Sequence, residues 1–150
     1  MPALHPPPIR TITLGVAEPH PLAGNVLQKA RNVLEYARAR CVEAGFEVQT
    51  VRLSTRPIFD DLAGISPAAF SGYARELQHM LDDLGITYCS VGTAQAARPD
   101  FPLDRLQWLV DVLASHPALS ASVQIATQEH GLRNEAAQPT ALVKIGRAHV

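Results

Sequence analysis

Apolar residues along this chain switch repeatedly between two periods, and proline or glycine marks most of the switches. Ile9 to Val16 (IRTITLGV) is rich in β-branched residues and bounded by Pro6-Pro7-Pro8 and Gly15, which predicts a strand. After a polar turn with Pro19 and Pro21, helical spacing takes over from Asn25 to Ala44. Val26, Leu27, Ala30, Val33, Leu34, Ala37 and Cys41 fall on one side, with Gln28, Lys29, Arg31, Glu35 and Arg38 opposite. This is an amphipathic helix laid on a core, and Gly45 suits its left-handed cap. Phe46 to Leu53 (FEVQTVRL) predicts a second strand whose apolar residues change parity, as a strand covered on both sides tolerates. Ser54 to Ile65 reads as loop. Ser66-Pro67 then starts a helix, with a hydroxyl N-cap and proline at the first helical position, running to about Leu84 before Gly85.

The alternation continues. Ile86 to Val91 (ITYCSV) predicts a third strand, and Gly92 to Phe101 a loop. Pro102 to about Ser115 forms a third long helix with Leu103, Leu106, Leu109, Val110 and Leu113 inward. Ser120 to Thr127 (SASVQIAT) predicts a fourth strand, and a last helix is expected to start near Leu132, kinked or stopped by Pro139. Alternating β-α units of this length imply an α/β fold: a parallel sheet with right-handed crossovers. Two architectures remain open, a doubly wound open sheet and a section of a β/α barrel, because spacing does not show whether the sheet closes.

Composition narrows the function classes. The 150 residues are 47% hydrophobic and 18% charged, which argues against intrinsic disorder. No stretch approaches the roughly 20 apolar residues of a membrane span. The start, MPALHPPPIR, has no apolar h-region of a secretory signal. Thirteen Lys and Arg against fourteen Asp and Glu leave a net charge of −1, with no basic footprint for nucleic acid or an anionic membrane. Two cysteines support neither a disulfide framework nor an all-cysteine metal site, so a cytoplasmic location is expected.

In parallel β/α architectures, ligands bind at the carboxyl ends of the strands. Those ends here carry Arg52 and Arg56, Ser90 beside Cys89, and the pair Glu129-His130. Two planar guanidinium forks and a hydroxyl suit a small anionic ligand bearing carboxylate or phosphate; a structural ion pair is the plainer account of either arginine. Glu129-His130 is the expected acid–base pair, since imidazole titrates near neutrality and a carboxylate can orient it. The plainer reading is a solvated loop pair. Cys89, inside an apolar strand, reads as a small buried hydrophobe. His5, His20, His79, His116 and His130 show no metal-ligand spacing, so no metal is expected. No GxGxxG or GxxxxGK[ST] supplies a phosphate cradle, and no cofactor is identified.

Three segments, IRTITLG at Ile9–Gly15, EAGFEVQTVRLSTRP at Glu43–Pro57 and YCSVG at Tyr88–Gly92, together resemble the amino-terminal part of a prokaryotic family of unknown function. It is the domain-of-unknown-function family seven-eleven (UPF zero-two-one-zero), whose members are often called "PFL family protein". The resemblance runs from Ile9 to Val143 and implies a fold like that of pyruvate formate-lyase, a large β/α barrel enclosing a central loop. It also implies that this chain is the first part of a longer protein. With the arginines above, the full-length form is expected to be an enzyme acting on a small anionic metabolite; the alternative is a complete, open four-stranded α/β module that senses a small ligand without catalysis. A homo-oligomer is expected of the full-length form. The radical-glycine motif of that fold's enzymes does not occur here, and fold alone does not transfer their chemistry.

The ends of the chain are expected to lie outside this domain. Residues 1–8 are expected to be a disordered leader to a domain spanning 9–143. Ile145 to Val150 (IGRAHV) continue no element and match the translation of a common sequencing adapter, ATC GGA AGA GCA CAC GTC, whose next codon is a stop. Residues 144–150 are accordingly expected to be adapter read-through. A partial barrel would expose an unpaired strand edge, so the isolated chain is expected to be inactive and to aggregate or oligomerise.

Overall fold

The computed structural model describes residues 6–146. The helix assigned to the last of these carries on through Ile145 and Gly146, which the sequence had placed outside any element; Arg147 to Val150, the rest of the suspected read-through, fall outside the described residues, as do Met1 to His5.

The four predicted strands form one parallel sheet in sequential order: β1 (Ile9–Gly15), β2 (Val48–Ser54), β3 (Cys89–Ala94) and β4 (Leu119–Val123). Crossing between them are α1 (Gly24–Glu43), the short α2 (Ile58–Asp61) with α3 (Pro67–Asp83), and α4 (Arg105–Ser115). A two-stranded antiparallel hairpin of β5 (Ala126–Thr127) and β6 (Gly131–Leu132) then leads to α5 (Ala137–Gly146). Strand order never reverses, so the sheet is not doubly wound. With crossovers of one hand running in one direction, the helices between strands fall on one face, and α1, α3 and α4 all contribute to a single core cluster.

The register shows which face. Leu14, Leu53, Cys89 and Leu119 are cross-strand partners in one row. The last three are fully buried and Leu14 packs against the same cluster, together with Leu27 and Leu34 of α1, Phe70 and Leu77 of α3, and Leu106 and Leu109 of α4. The parity change in β2 therefore does not reflect a sheet covered on both sides. Val51 and Leu53 belong to the helix face, while Val48 is buried where the strand begins.

Local boundaries differ from expectation for identifiable reasons. The loop after β2 contains α2, whose Ile58 and Phe59 are buried; Phe59 stacks on Phe70 at 5.0 Å between ring centroids. Buried Arg105 donates to the carbonyls of Phe59 and Ala63, closing the end of that short helix. β3 starts later than expected and runs through Gly92. β4 ends at Val123 because beyond it the Gln124 carbonyl accepts from the Ala97 N–H and the Ile125 carbonyl from the Arg133 N–H, turning the chain out of the sheet. Pro139 neither kinks nor stops α5; it lies in the first turn, where its missing N–H has no helical partner to lose. The N-cap prediction at Ser66 holds, its Oγ accepting from the Ala69 N–H at 3.3 Å. Ser66→Ala is expected to lower unfolding free energy by about 1 kcal/mol, read as a lower urea midpoint at unchanged slope.

Candidate functional site

One residue along from the buried row, side chains point to the opposite face of the sheet. Gly15, Ser54, Ser90 and Ser120 are cross-strand partners there, so three hydroxyls stand side by side in a row that ends, on β1, at a glycine without a side chain. Around them the same face carries Thr11 and Thr50, whose hydroxyls bond at 2.8 Å, the neighbours Thr13 and Arg52, and Thr93 with Ser122 at 2.7 Å. A sheet face of threonine, serine and arginine cannot form an apolar core.

A cavity of about 390 Å³ lies on this face, lined by Arg52, Tyr88, Ser90, Ser120 and Ser122 among others. Its shape comes from stagger: β3 begins opposite Leu53, late in β2, which sets Tyr88 beside Arg52. The Arg52 guanidinium sits 5.7 Å from the centre of the Tyr88 ring and makes a long contact of 3.5 Å to the Thr11 hydroxyl. The aromatic face holds the cation in place while leaving its donor edge for another acceptor. Among the described residues no carboxylate pairs with Arg52.

Arg56 is differently placed and does not line this cavity. It binds Asp61, Nη2 to Oδ1 at 2.7 Å and Nε to the same oxygen at 2.9 Å, and the Asp61 side chain is 3% exposed. The expected pair of arginines at one ligand is thus divided: Arg52 faces the cavity, and Arg56 is committed to a buried carboxylate. Ser90 lines the same cavity as Arg52. Glu129 and His130 do not, because the stretch read as the end of the fourth strand is the turn of the β5–β6 hairpin. There the His130 N–H bonds to the Thr127 hydroxyl, the two side chains are 3.9 Å apart, and Glu129 is 84% exposed.

Behind the cavity, at the carboxyl ends of β1 and β2, lies a buried polar network that spacing did not reveal. The Leu22 N–H donates to the Tyr73 hydroxyl at 2.9 Å, which lies 2.7 Å from His20 Nδ1; His20 Nε2 lies 2.9 Å from the Thr55 hydroxyl. Thr55 in turn donates to the Ser90 or Arg56 carbonyl, each at 3.1 Å. The donor sequence is consistent in one direction only, with His20 neutral and its proton on Nε2. Burial pushes His20 below its ordinary value of 6.5, more than the nearby Asp61 charge raises it. Burial would raise Asp61, but the His20 N–H and the Arg56 guanidinium outweigh it and hold the carboxyl below 3.8. Burial drives Tyr73 up to about 12. Cys89 is also pushed to about 12, so its thiol stays protonated and inert at neutral pH, in keeping with a small hydrophobe. The network is fully partnered and braces the loops after β1 and β2.

Among the described residues, no three His, Cys, Asp or Glu side chains gather to hold a metal ion. None of their helices is long and apolar enough to cross a membrane. Compared with known proteins, the chain matches over residues 3–148 the family model described as Uncharacterised ACR (DUF711). No curated protein matches it.

Proposed function

The chain belongs to the DUF711 family, whose description assigns no activity, and from that premise we propose that its bare sheet face binds a small metabolite through a carboxylate or phosphate group. One observation carries the reading: Arg52, held over Tyr88 and free of any described carboxylate, opens onto a cavity floored by Ser90, Ser120 and Ser122. A guanidinium fork supplies bidentate charge-assisted donors, and neighbouring hydroxyls can donate to the remaining oxygens or accept from substrate hydroxyls. Glycine at position 15 keeps one side of the hydroxyl row low enough for a ligand to approach the backbone.

The reading is of binding rather than turnover. No His, Cys, Asp, Glu or Lys is among the residues lining the cavity, and the expected acid–base pair, Glu129 and His130, stands in the exposed hairpin turn. An enzyme built on this face would need its proton donor or acceptor from elsewhere.

Isothermal titration with inorganic phosphate and with a short dicarboxylate tests the proposal. Saturable binding is expected for one of them; Arg52→Ala should abolish it and Arg52→Lys weaken it about tenfold, through loss of the planar fork. Arg40→Ala, on the exposed side of α1, should leave it unchanged. Absence of saturable binding for both ligands, or equal binding by Arg52→Ala, overturns the reading.

A further inference from the structure

The hydroxyls on the face without helices are unevenly committed. Near β1 they are all taken. Thr50 donates to the Arg10 carbonyl at 2.9 Å, so the bond between Thr50 and Thr11 uses the Thr11 proton, and Arg52 reaches the Thr11 oxygen. Across β3 and β4 much is left over. The Thr93–Ser122 pair, 2.7 Å apart, uses only one of its two protons. Ser120 approaches the Cys89 carbonyl at a long 3.4 Å. At Ser90 the carbonyl is taken by Thr55, while the hydroxyl bonds to none of the described residues. Hydroxyls in this state bond to solvent. A ligand displaces that solvent without loss only when it brings donors and acceptors of its own.

The cavity beside Arg52 is floored by this uncommitted half. Strand alternation puts Tyr88 with Ser90, and Ser120 with Ser122, on the Arg52 side of the sheet. Leu53 and Ala121 complete the lining but turn their side chains the other way: Leu53 is wholly buried in the helix-covered core, and Ala121 packs against that core. The apolar surface offered to a ligand is therefore the Tyr88 ring, and the Arg52 guanidinium already lies over it. Neighbouring strands stand about 4.8 Å apart, so the floor runs roughly 10 Å from β2 to β4. A carboxylate or phosphate held by Arg52 fills only the β2 end. Whatever is attached to it lies across hydroxyls.

We propose that the ligand of this face is a polyhydroxylated acid, a sugar acid or sugar phosphate, whose anionic group pairs with Arg52 and whose hydroxyls lie over Ser90, Ser120 and Ser122. The inference rests on the anion-binding reading above and adds to it the chemistry of the ligand's body. A ligand hydroxyl donates and accepts at once, as a serine hydroxyl does, so each contact can form in either direction. An alkyl chain in the same place would strip solvent from the serines and return no bond. All of these contacts come from β2, β3 and β4, in the register those strands already share.

Isothermal titration of the full chain with two matched pairs of probes tests it: gluconate against hexanoate, and sorbitol phosphate against hexyl phosphate. The members of a pair share head group and chain length and differ in their hydroxyls. In the pair whose head group Arg52 accepts, the hydroxylated member is expected to bind at least about tenfold more tightly. Ser90→Ala and Ser122→Ala should each weaken that member about fivefold while keeping the wild-type urea transition. An alkyl member that binds as tightly as its hydroxylated partner in both pairs, or an advantage that survives both serine variants, overturns the polyhydroxylated ligand and leaves anion binding at Arg52 standing. Binding of inorganic phosphate or the dicarboxylate with none of the four probes bound has the same consequence. Hydroxylated probes that bind Arg52→Ala as tightly as wild type, or failure of every ligand in both titrations, overturn the anion reading and this inference with it.

Discussion

Adding one methyl group at Gly92 is expected to destabilise the protein by more than about 4 kcal/mol, among the largest effects of any single-atom change in the chain. Gly92 adopts φ +83°, and a Cβ there would lie 2.6 Å from Pro57 Cα and 2.8 Å from the Arg56 carbonyl carbon. Both obstacles are backbone, so a side-chain rotation cannot relieve the clash. The position sits in the register shift between Ser90 and Thr93, where β3 bulges and lets the chain after β2 cross close above it. That crossing sets Arg56 against Asp61 and Thr55 beneath His20. Gly92→Ala should therefore fail to give a cooperative urea transition, or give one with a strongly lowered midpoint. A loss within about 1 kcal/mol would show that the Arg56–Pro57 segment moves away freely and does not brace the site.

Tyr73→Phe removes a single hydroxyl and is expected to lower stability by about 2–4 kcal/mol, because it leaves two buried groups without partners, the Leu22 N–H and His20 Nδ1. Its phenyl ring fills the same space, so the effect isolates the polar network. His20 adds a pH dependence to that network. Its folded value lies below 6.5, so as pH falls from 6.5 the unfolded chain takes up the proton before the folded protein does. Stability is complete above 6.5 and declines through the window down to the folded value. Asp61, held below 3.8, adds a second loss at still lower pH as its carboxylate is protonated. His20→Asn should be less stable than wild type at pH 8 yet show a flatter stability profile just below 6.5. An unchanged slope in that variant would remove His20 from the account of acid sensitivity.

The alternation of strands and helices was legible because each amphipathic helix carries its own period and each strand its own cluster of β-branched residues. The α/β class and the parallel sheet follow from those local signals. What escaped reading depends on partners distant in the chain. Ser54, Ser90 and Ser120 are unremarkable until register sets them in one row, and register is decided by packing of Leu53, Cys89 and Leu119 on the other face. His20 lacks any partner at helical spacing, since its partners are Thr55 and Tyr73, 35 and 53 residues away. Gly92 looked like punctuation after a strand, because the backbone that crosses above it comes from Arg56 and Pro57. SASVQIAT read as one continuous strand; only the bonds of Gln124 and Ile125 show where it leaves the sheet.

The division of labour between the two arginines was equally invisible. Both lie near the end of β2, but Arg52 is on the face without helices and Arg56 lies beyond the strand, where Asp61 of α2 can reach it. Neither periodicity nor residue type separates them, and the α2 turn that supplies Asp61 sits in a segment with proline and glycine at its borders.

The most direct measurement of the central claim, that the hydroxyl face around Arg52 is the binding surface, is chemical-shift mapping of the isotope-labelled chain during titration with inorganic phosphate or a short dicarboxylate. Saturable shifts are predicted for the Arg52 Nε–H and the amides of Ser90, Ser120 and Ser122, with the helix-facing amides of α1 unmoved. Saturable shifts centred instead on Arg31 and Arg38, at the opposite end of the strands, or none at all, would contradict it.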